Sequence, residues 1–400
     1  MKILQVNCVY NKGSTGKIVY DIHTELVKKN IESVVCYGRG DKVNQPNVYK
    51  TCGELYSKAN NLFSRATGLM YGGLGCSTNR LIKIIKREKP TIVHLHCING
   101  YFVNIYRIVS WLKKANIKTV LTLHAEFMYT ANCGHSYECE KWKTGCGNCP
   151  RFKKETKSLF FDNTALSYKK MQKAFDGFDN LTVVSVSPWL MDRAKQSPIL
   201  KDKNHKVVFN GLDTSVFYPR DISELKVKHN IKDQKIVFFA TPNFTNDKNN
   251  LKGGYYVLKL AQRFLGQNVL FFVAGPKTAE FEVPANMVLL GNVSNQEELA
   301  KYYSLADVTV LASRRETFSM VVAESLCCGT PVVGFKAGGP EQIAIAEFST
   351  FVEHGDLDGM YNAVLTFLNG INVDAEKAQQ LYSKSNMIEN YIKVYKEVLN

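Results

Sequence analysis

Residues 306–335 read ADVTVLASRRETFSMVVAESLCCGTPVVGF, and their pattern decides the fold. Val308–Leu311 is predicted as a strand, followed by a polar loop holding Glu316, a helix carrying Glu324, and a second strand at Val332–Phe335. Ser319 is a helix-capping residue type, and Gly329 with Pro331 stops the helix. Strand, loop, helix and strand in that order make a parallel α/β unit, whose ligands bind outside the carboxyl ends of its strands. Glu316 is therefore expected on the binding edge. The backbone N–H groups of Phe318, Ser319 and Met320 would form an anion-attracting helix start. Glu324 lies farther along the same helix, where a carboxylate can accept both hydroxyls of a ribose. A site that grips phosphate and ribose and leaves one acid beside the next group suits a nucleotide-sugar.

Working outward, both halves of the 400 residues alternate strand-like and helix-like runs. Ile3–Asn7, Ser33–Tyr37, Thr91–Leu95, Thr119–Leu123, Thr182–Val186 and Lys206–Phe209 read as strands in the first half. The second half restarts at Lys235–Ala240 and continues through Val269–Ala274, Val288–Leu290 and the two strands already named. Several are continuous apolar runs, as parallel strands covered on both faces should be. The expectation is an α/β protein of two tandem Rossmann-like parallel-sheet domains facing a central cleft. The boundaries expected are 1–208 for a first domain, 209–374 for a second, nucleotide-sugar-binding domain, and 375–400 for a terminal helix packing back on the first; the resemblance named below makes the first the acceptor side.

The chain carries 51 Lys and Arg against 36 Asp and Glu, a formal charge of +15. Residues 1–208 hold a balance of +18 and the remainder −3, so the excess lies wholly in the first half. That asymmetry suits an anionic partner for one domain, such as a membrane surface or nucleic acid; solubilising lysine is the plainer reading. Two basic-apolar stretches, Arg80–Lys89 and Arg107–Lys118 with Trp111, are the expected lipid-facing helices, though either pattern also fits a helix covering the sheet. No run is long enough to span a membrane, and the N-terminus reads as a buried strand, not a signal peptide. A cytoplasmic protein, peripheral on the inner face of the cell membrane, is expected, with its eleven cysteines reduced.

Four of those cysteines, Cys133, Cys139, Cys146 and Cys149, fall within residues 133–150. Their C-x5-C-x6-C-x2-C spacing suits a structural zinc site of four thiolates, with His135 as a substitute ligand. Two disulfides or unliganded thiols are the alternatives.

The segment 306–335 resembles the Glu-x7-Glu signature of family 4 retaining glycosyltransferases, with Glu316 and Glu324 as the two acids. Two glutamates eight apart are ordinarily a solvated helix face. Here they come with Ala306-Asp307, Phe318, the helix-ending Cys328-Gly-Thr-Pro-Val-Val333 and Gly338-Gly339. The resemblance covers nearly the whole chain and implies the glycosyltransferase-B architecture. Transfer would be of hexosyl type, from a UDP-, GDP- or ADP-sugar to a glycan or lipid-linked acceptor, in surface or exopolysaccharide assembly.

The resemblance also implies residue roles. Glu324 would bind ribose, Lys252 and the Phe318–Met320 amides the diphosphate, and Glu316 the donor sugar. His124, at the end of Thr119–Leu123, would orient that sugar, although Ala125 stands where the family usually has Asp, with Glu126 next. Gly13 and Gly16 in NKGSTGK resemble the first-strand loop that approaches donor phosphate. That segment is not a Walker A loop, since Asn11 and Ile18 occupy its required Gly and Ser/Thr positions. Asp247 stands where the family usually has Arg, which leaves Lys248 as the substitute. No cofactor is required for such catalysis. Two alternatives stay open: a nucleotide-sugar 2-epimerase of the same architecture, and a non-catalytic polyanion- or RNA-binding protein, for which nucleic acid is the less suited partner.

Overall fold

Val, Ile and Phe runs form the strands in the computed structural model, which describes residues 1–400. Seven strands belong to a first unit: β1 (Lys2–Asn7), β2 (Glu32–Tyr37), β3 (Val48–Lys50), β4 (Ile92–Leu95), β5 (Thr119–Leu123), β6 (Leu181–Ser185) and β7 (Asn204–Val207). They pair in parallel in the order β3-β2-β1-β4-β5-β6-β7. Six more form the sheet of a second unit: β8 (Lys235–Ala240), β9 (Val269–Ala274), β10 (Met287–Gly291), β11 (Val308–Leu311), β12 (Val332–Phe335) and β13 (Ser349–Val352). Their order is β10-β9-β8-β11-β12-β13, again all parallel. Every residue of β4, β5, β6, β11 and β12 is buried, as helices on both sheet faces require. This is the expected pair of parallel-sheet α/β domains.

Chain order reverses between β1 and β4 in the first sheet and between β8 and β11 in the second. At such a reversal the two following loops leave in opposite directions and open a crevice for ligands. The loop after β8 carries Lys252 and the loop after β11 carries Glu316. The sheet order alone therefore places both on one crevice of the second unit.

The first unit comprises Met1–Val208 with Ile388–Asn400, and the second Phe209–Met387. The single terminal helix expected from residue 375 is two helices, Ala375–Tyr382 and Lys384–Leu399, and the first stays with the second unit. Ser383 breaks the run because it is extended and pairs with Leu212: Leu212 N–H donates to Tyr382 O and Lys384 N–H to Leu212 O, both at 2.8 Å. Beyond residue 388 the chain packs on the first sheet. Tyr395 Oη lies 2.7 Å from His94 Nδ1, and Lys118 Nζ donates to Leu399 O at 2.5 Å.

The two stretches expected to face lipid cover the sheet instead. Leu81, Ile84 and Ile85 of helix Cys76–Glu88 are buried, as are Ile108, Val109 and Leu112 of helix Ile105–Lys114. Their apolar stripes are spent on the core. No helix is long and apolar enough to cross a membrane.

Candidate active site

Lys252 ends the loop after β8, where the backbone turns sharply into helix Gly254–Arg263. The turn depends on Gly253: its φ is +71°, and a Cβ there would lie 2.0 Å from Ala312 O. Only glycine lets the two loops at the crevice touch. Across that contact, Lys252 Nζ donates to Glu316 Oε1 at 2.6 Å, and Ser313 Oγ donates to the same oxygen at 2.9 Å. Both ion-pair partners remain partly exposed.

Glu316 itself is held by strand-like pairing beyond the end of β11. Its N–H donates to Ala337 O and its carbonyl accepts from Gly339 N–H, each at 3.0 Å. Gly339 has no room for a side chain, since a Cβ would come within 2.3 Å of Thr317 O. The Gly338-Gly339 pair thus lets the β12 loop lie flat against the Glu316 loop.

Glu324 stands on helix Met320–Cys327. Its Oε2 accepts from Tyr303 Oη at 2.9 Å. Burial pushes its carboxyl up to about 7, and the Tyr303 hydrogen bond only partly offsets this. Glu324, Lys252 and Met320 line one pocket of about 340 Å³, together with Thr241, Gly275 and Asn292. A carboxyl that titrates near neutrality on a pocket wall ionises further when hydroxyl donors arrive.

Ser319 is at the expected helix boundary but does not cap it. Its φ is +83° and its side chain makes no capping bond. A non-glycine residue in that region is strained, and such strain collects at ligand-contacting turns. Phe318 is buried, its ring edge-on to Phe209 and Tyr382. Its side chain is thus a core anchor, leaving its backbone as the group that could meet an anion. Lys248 is exposed on the turn before Lys252 and is not on the pocket wall. The Asp247–Asn250 turn holds Lys248 out in water: Asn249 N–H donates to Asp247 Oδ1 and Asn250 N–H to Asp247 O.

On the first unit, Gly13, with φ +63°, begins helix Gly13–Lys28 after β1, and the buried Gly16 lies in the first turn of that helix, its carbonyl accepting from Asn11 N–H at 2.9 Å. His124 follows β5, with its Nε2 3.2 Å from His96 Nδ1 and the two rings stacked. Burial lowers His124 to about 4, so it is neutral at pH 7. His94 is core, bonded to Tyr395 and Thr122. Glu126 turns inward and is fully buried. Burial alone would raise its pKa, but His135, Ser136 Oγ at 2.5 Å, Arg193 at 3.5 Å and Tyr129 Oη at 2.7 Å bring it down to about 2.

That anchor organises the cysteine loop, and it engages His135, the expected substitute metal ligand. No three or more His, Cys, Asp or Glu side chains come together to hold a metal ion. The four thiols expected as zinc ligands do not meet as one cluster. Cys133 is packed among buried residues, Cys146 Sγ points to Thr130 O at 3.5 Å, and Asp162 fixes the Cys149 backbone N–H at 2.5 Å. All four cysteines are free thiols. Burial raises the pKa of Cys133, Cys146 and Cys149, with that of Cys146 at about 12.

Sequence reasoning missed Tyr303, Thr241, Asn292 and Ser313. Ser313 had a signal, being three residues from Glu316, whereas Tyr303 reaches Glu324 only through the fold.

Two parallel sheets, each with its ligand crevice at the reversal of strand order, define the glycosyltransferase-B class, and solved structures of that class match the chain over its length. Sucrose-phosphate synthase from Thermosynechococcus elongatus aligns at a TM-score of 0.67 with 14% identity, covering 100% of this chain and 99% of that one. HepE from Anabaena, solved with UDP and glucose, aligns at 0.63 with 14% identity over 99% and 100%. A curated relative, the putative colanic acid biosynthesis glycosyl transferase WcaC of Escherichia coli K12, is 22% identical over the full length of both chains. The model for glycosyltransferase family 4 matches residues 15–216, and that for glycosyl transferases group 1 matches residues 221–385. The chain belongs to glycosyltransferase family 4 and is a glycosyltransferase.

Proposed function

We propose that the chain transfers a hexosyl group, with retention, from a nucleoside-diphosphate sugar to a hydroxyl of a lipid-linked saccharide in surface-polysaccharide assembly. The observation that carries this reading is the Lys252–Glu316 ion pair at the strand-order reversal, beside the pocket walled by Glu324. The Escherichia coli relative's name supports the polysaccharide context, and the UDP and glucose bound to the Anabaena protein support a nucleotide-sugar donor.

In this reading Glu324 ionises as it accepts two ribose hydroxyls. Lys252 keeps two ammonium protons beyond the one given to Glu316, and these meet the diphosphate with the N–H groups at the start of helix Met320–Cys327. Stabilising the charge that grows on the leaving phosphate is the main demand of the reaction. The bond from the sugar's anomeric carbon to the phosphate oxygen breaks while a bond to the acceptor oxygen forms on the same face. The acceptor proton passes to the departing phosphate. Glu316 contacts the sugar through its remaining acceptor capacity.

The test is nucleoside-diphosphate release from UDP-, GDP- and ADP-sugars, with and without a lipid extract as acceptor. Acceptor-dependent release from one donor is expected, with the anomeric configuration kept in the product by NMR. Release of nucleotide without acceptor, with an epimerised sugar, would overturn the reading in favour of a 2-epimerase.

A further inference from the structure

Helix Glu54–Thr67 in the first unit is amphipathic the wrong way round. Its buried side chains are polar: Ser57, Asn60 and Ser64. They are bonded there, with Asn60 Nδ2 donating to Tyr101 O at 3.0 Å and Asn60 Oδ1 accepting from Leu74 N–H at 3.0 Å. The opposite face carries Leu55, Leu62 and Phe63, of which Leu55 is 82% and Leu62 62% exposed. Helical spacing aligns these three with Ala59 in one outward stripe. The fold thus holds this helix by hydrogen bonds and turns its apolar side to the outside.

A second apolar element lies against it. Leu159 N–H donates to Arg65 O at 2.8 Å, and Asn163 Nδ2 donates to Thr67 O at 2.6 Å, so residues 158–163 run along the helix end. Within that segment Leu159, Phe160 and Phe161 are all exposed, the two rings at 69% and 59%. Six large apolar side chains stand exposed on two touching elements, a grouping of a kind that marks an interaction site.

The rim identifies the partner. Lys58 and Arg65 flank the helix stripe, and Lys153, Lys154 and Lys157 precede the phenylalanines, all exposed. Nearby acids are turned away: Glu54 pairs with Arg39, Glu155 with Arg151, and Asp162 takes the Cys149 and Thr164 N–H groups. At the helix N-cap, Gly53 borders an open groove of about 790 Å³ lined by Lys42, Lys50, Arg80, Lys83 and Arg87. An apolar stripe inside a cationic rim matches the acyl boundary and headgroups of an anionic bilayer. A second copy would bring two cationic rims together. Single-stranded nucleic acid would use the aromatic rings but leave Leu55, Leu62 and Leu159 without partners.

We propose that this surface, helix 54–67 with residues 158–161, docks the first unit on anionic lipid. The inference rests on the reading of a lipid-linked acceptor, and it supplies the means by which the chain reaches one. Co-sedimentation of the full chain with phosphatidylglycerol-containing and with neutral phosphatidylcholine vesicles tests it, using wild type, Leu62→Gln/Phe160→Ser, and Lys153→Glu/Lys154→Glu/Lys157→Glu. Wild type should prefer the anionic vesicles, and each variant should lose at least tenfold in partitioning while keeping its far-UV spectrum and melting temperature. Wild-type partitioning in both variants, equal binding to neutral vesicles, or a wild-type dimer that the apolar variant dissolves would overturn the proposal. Thermal shift by UDP, GDP and ADP on the same samples keeps the two ideas apart. None of these substitutions touches Lys252, Glu316 or Glu324, so absent nucleotide binding would count against the proposed function and leave the vesicle result standing.

Discussion

Glu324→Gln removes the one carboxyl lining the pocket of Lys252 and Met320, a group that titrates near neutrality. With its pKa at about 7, roughly nine in ten of these carboxyls are protonated at pH 6 and about one in ten at pH 8. A ribose diol donates two hydrogen bonds and so selects the ionised form. Nucleotide binding should therefore release about 0.9 proton at pH 6 from this residue, and affinity should rise about tenfold from pH 6 to pH 8 on its account. Calorimetry in two buffers of different ionisation enthalpy counts the protons. The nucleotide's own phosphate also titrates, and the Gln variant retains that part, so the difference between wild type and variant isolates Glu324.

The same shift fixes a stability trend. A carboxyl raised from 4.5 to about 7 favours the folded state fully below pH 4.5. That contribution is lost as pH rises through 7, costing the ligand-free protein about 3 kcal/mol by pH 8. The Gln variant should lack this decline in urea titrations. Equal proton release by wild type and variant, together with parallel stability profiles, would refute the assignment of Glu324 to the ribose.

Glu316→Gln should lower turnover while leaving nucleotide affinity nearly intact, and Lys252→Ala should lower kcat by about 10²–10³ through loss of leaving-group stabilisation, both read from steady-state kinetics. Glu126→Gln should cost about 3–5 kcal/mol in urea unfolding, because it strands Arg193 beside a buried neutral amide. With the Glu126 carboxyl held down to about 2, that stability is complete above pH 4.5 and should drain away as pH falls towards 2. Gly253→Ala should destabilise by more than about 1 kcal/mol and depress turnover, since the added methyl meets Ala312 O in a backbone conformation alanine resists.

The sheet strands with four or more apolar residues in a row were legible because burial on both faces leaves an unbroken Val/Ile/Phe run. β3 and β13 were not legible: they are three- and four-residue edge strands whose burial is only partial. The position of Glu316 after β11 followed from sequence order. Its ion pair with Lys252 did not, because it depends on β8 and β11 becoming neighbours across the sheet. Ser319 has the composition of a cap and the backbone of a strained turn, a difference set by tertiary contact. Cysteine spacing likewise says nothing about Glu126, whose hydrogen bonds to Tyr129 and Ser136 lie buried beside the cysteine loop. The outward turn of helix 54–67 was hidden for a related reason. Periodicity reveals that a helix has two faces, and only the partners of Asn60 reveal which one the fold keeps.

A crystal structure with a bound nucleoside-diphosphate sugar tests the central claim most directly. The expected result places the diphosphate between Lys252 Nζ and the backbone N–H groups starting helix Met320–Cys327, both ribose hydroxyls on Glu324, and the sugar against Glu316. A nucleotide bound elsewhere, with the Lys252–Glu316–Glu324 pocket left to water at saturating ligand, would contradict the account.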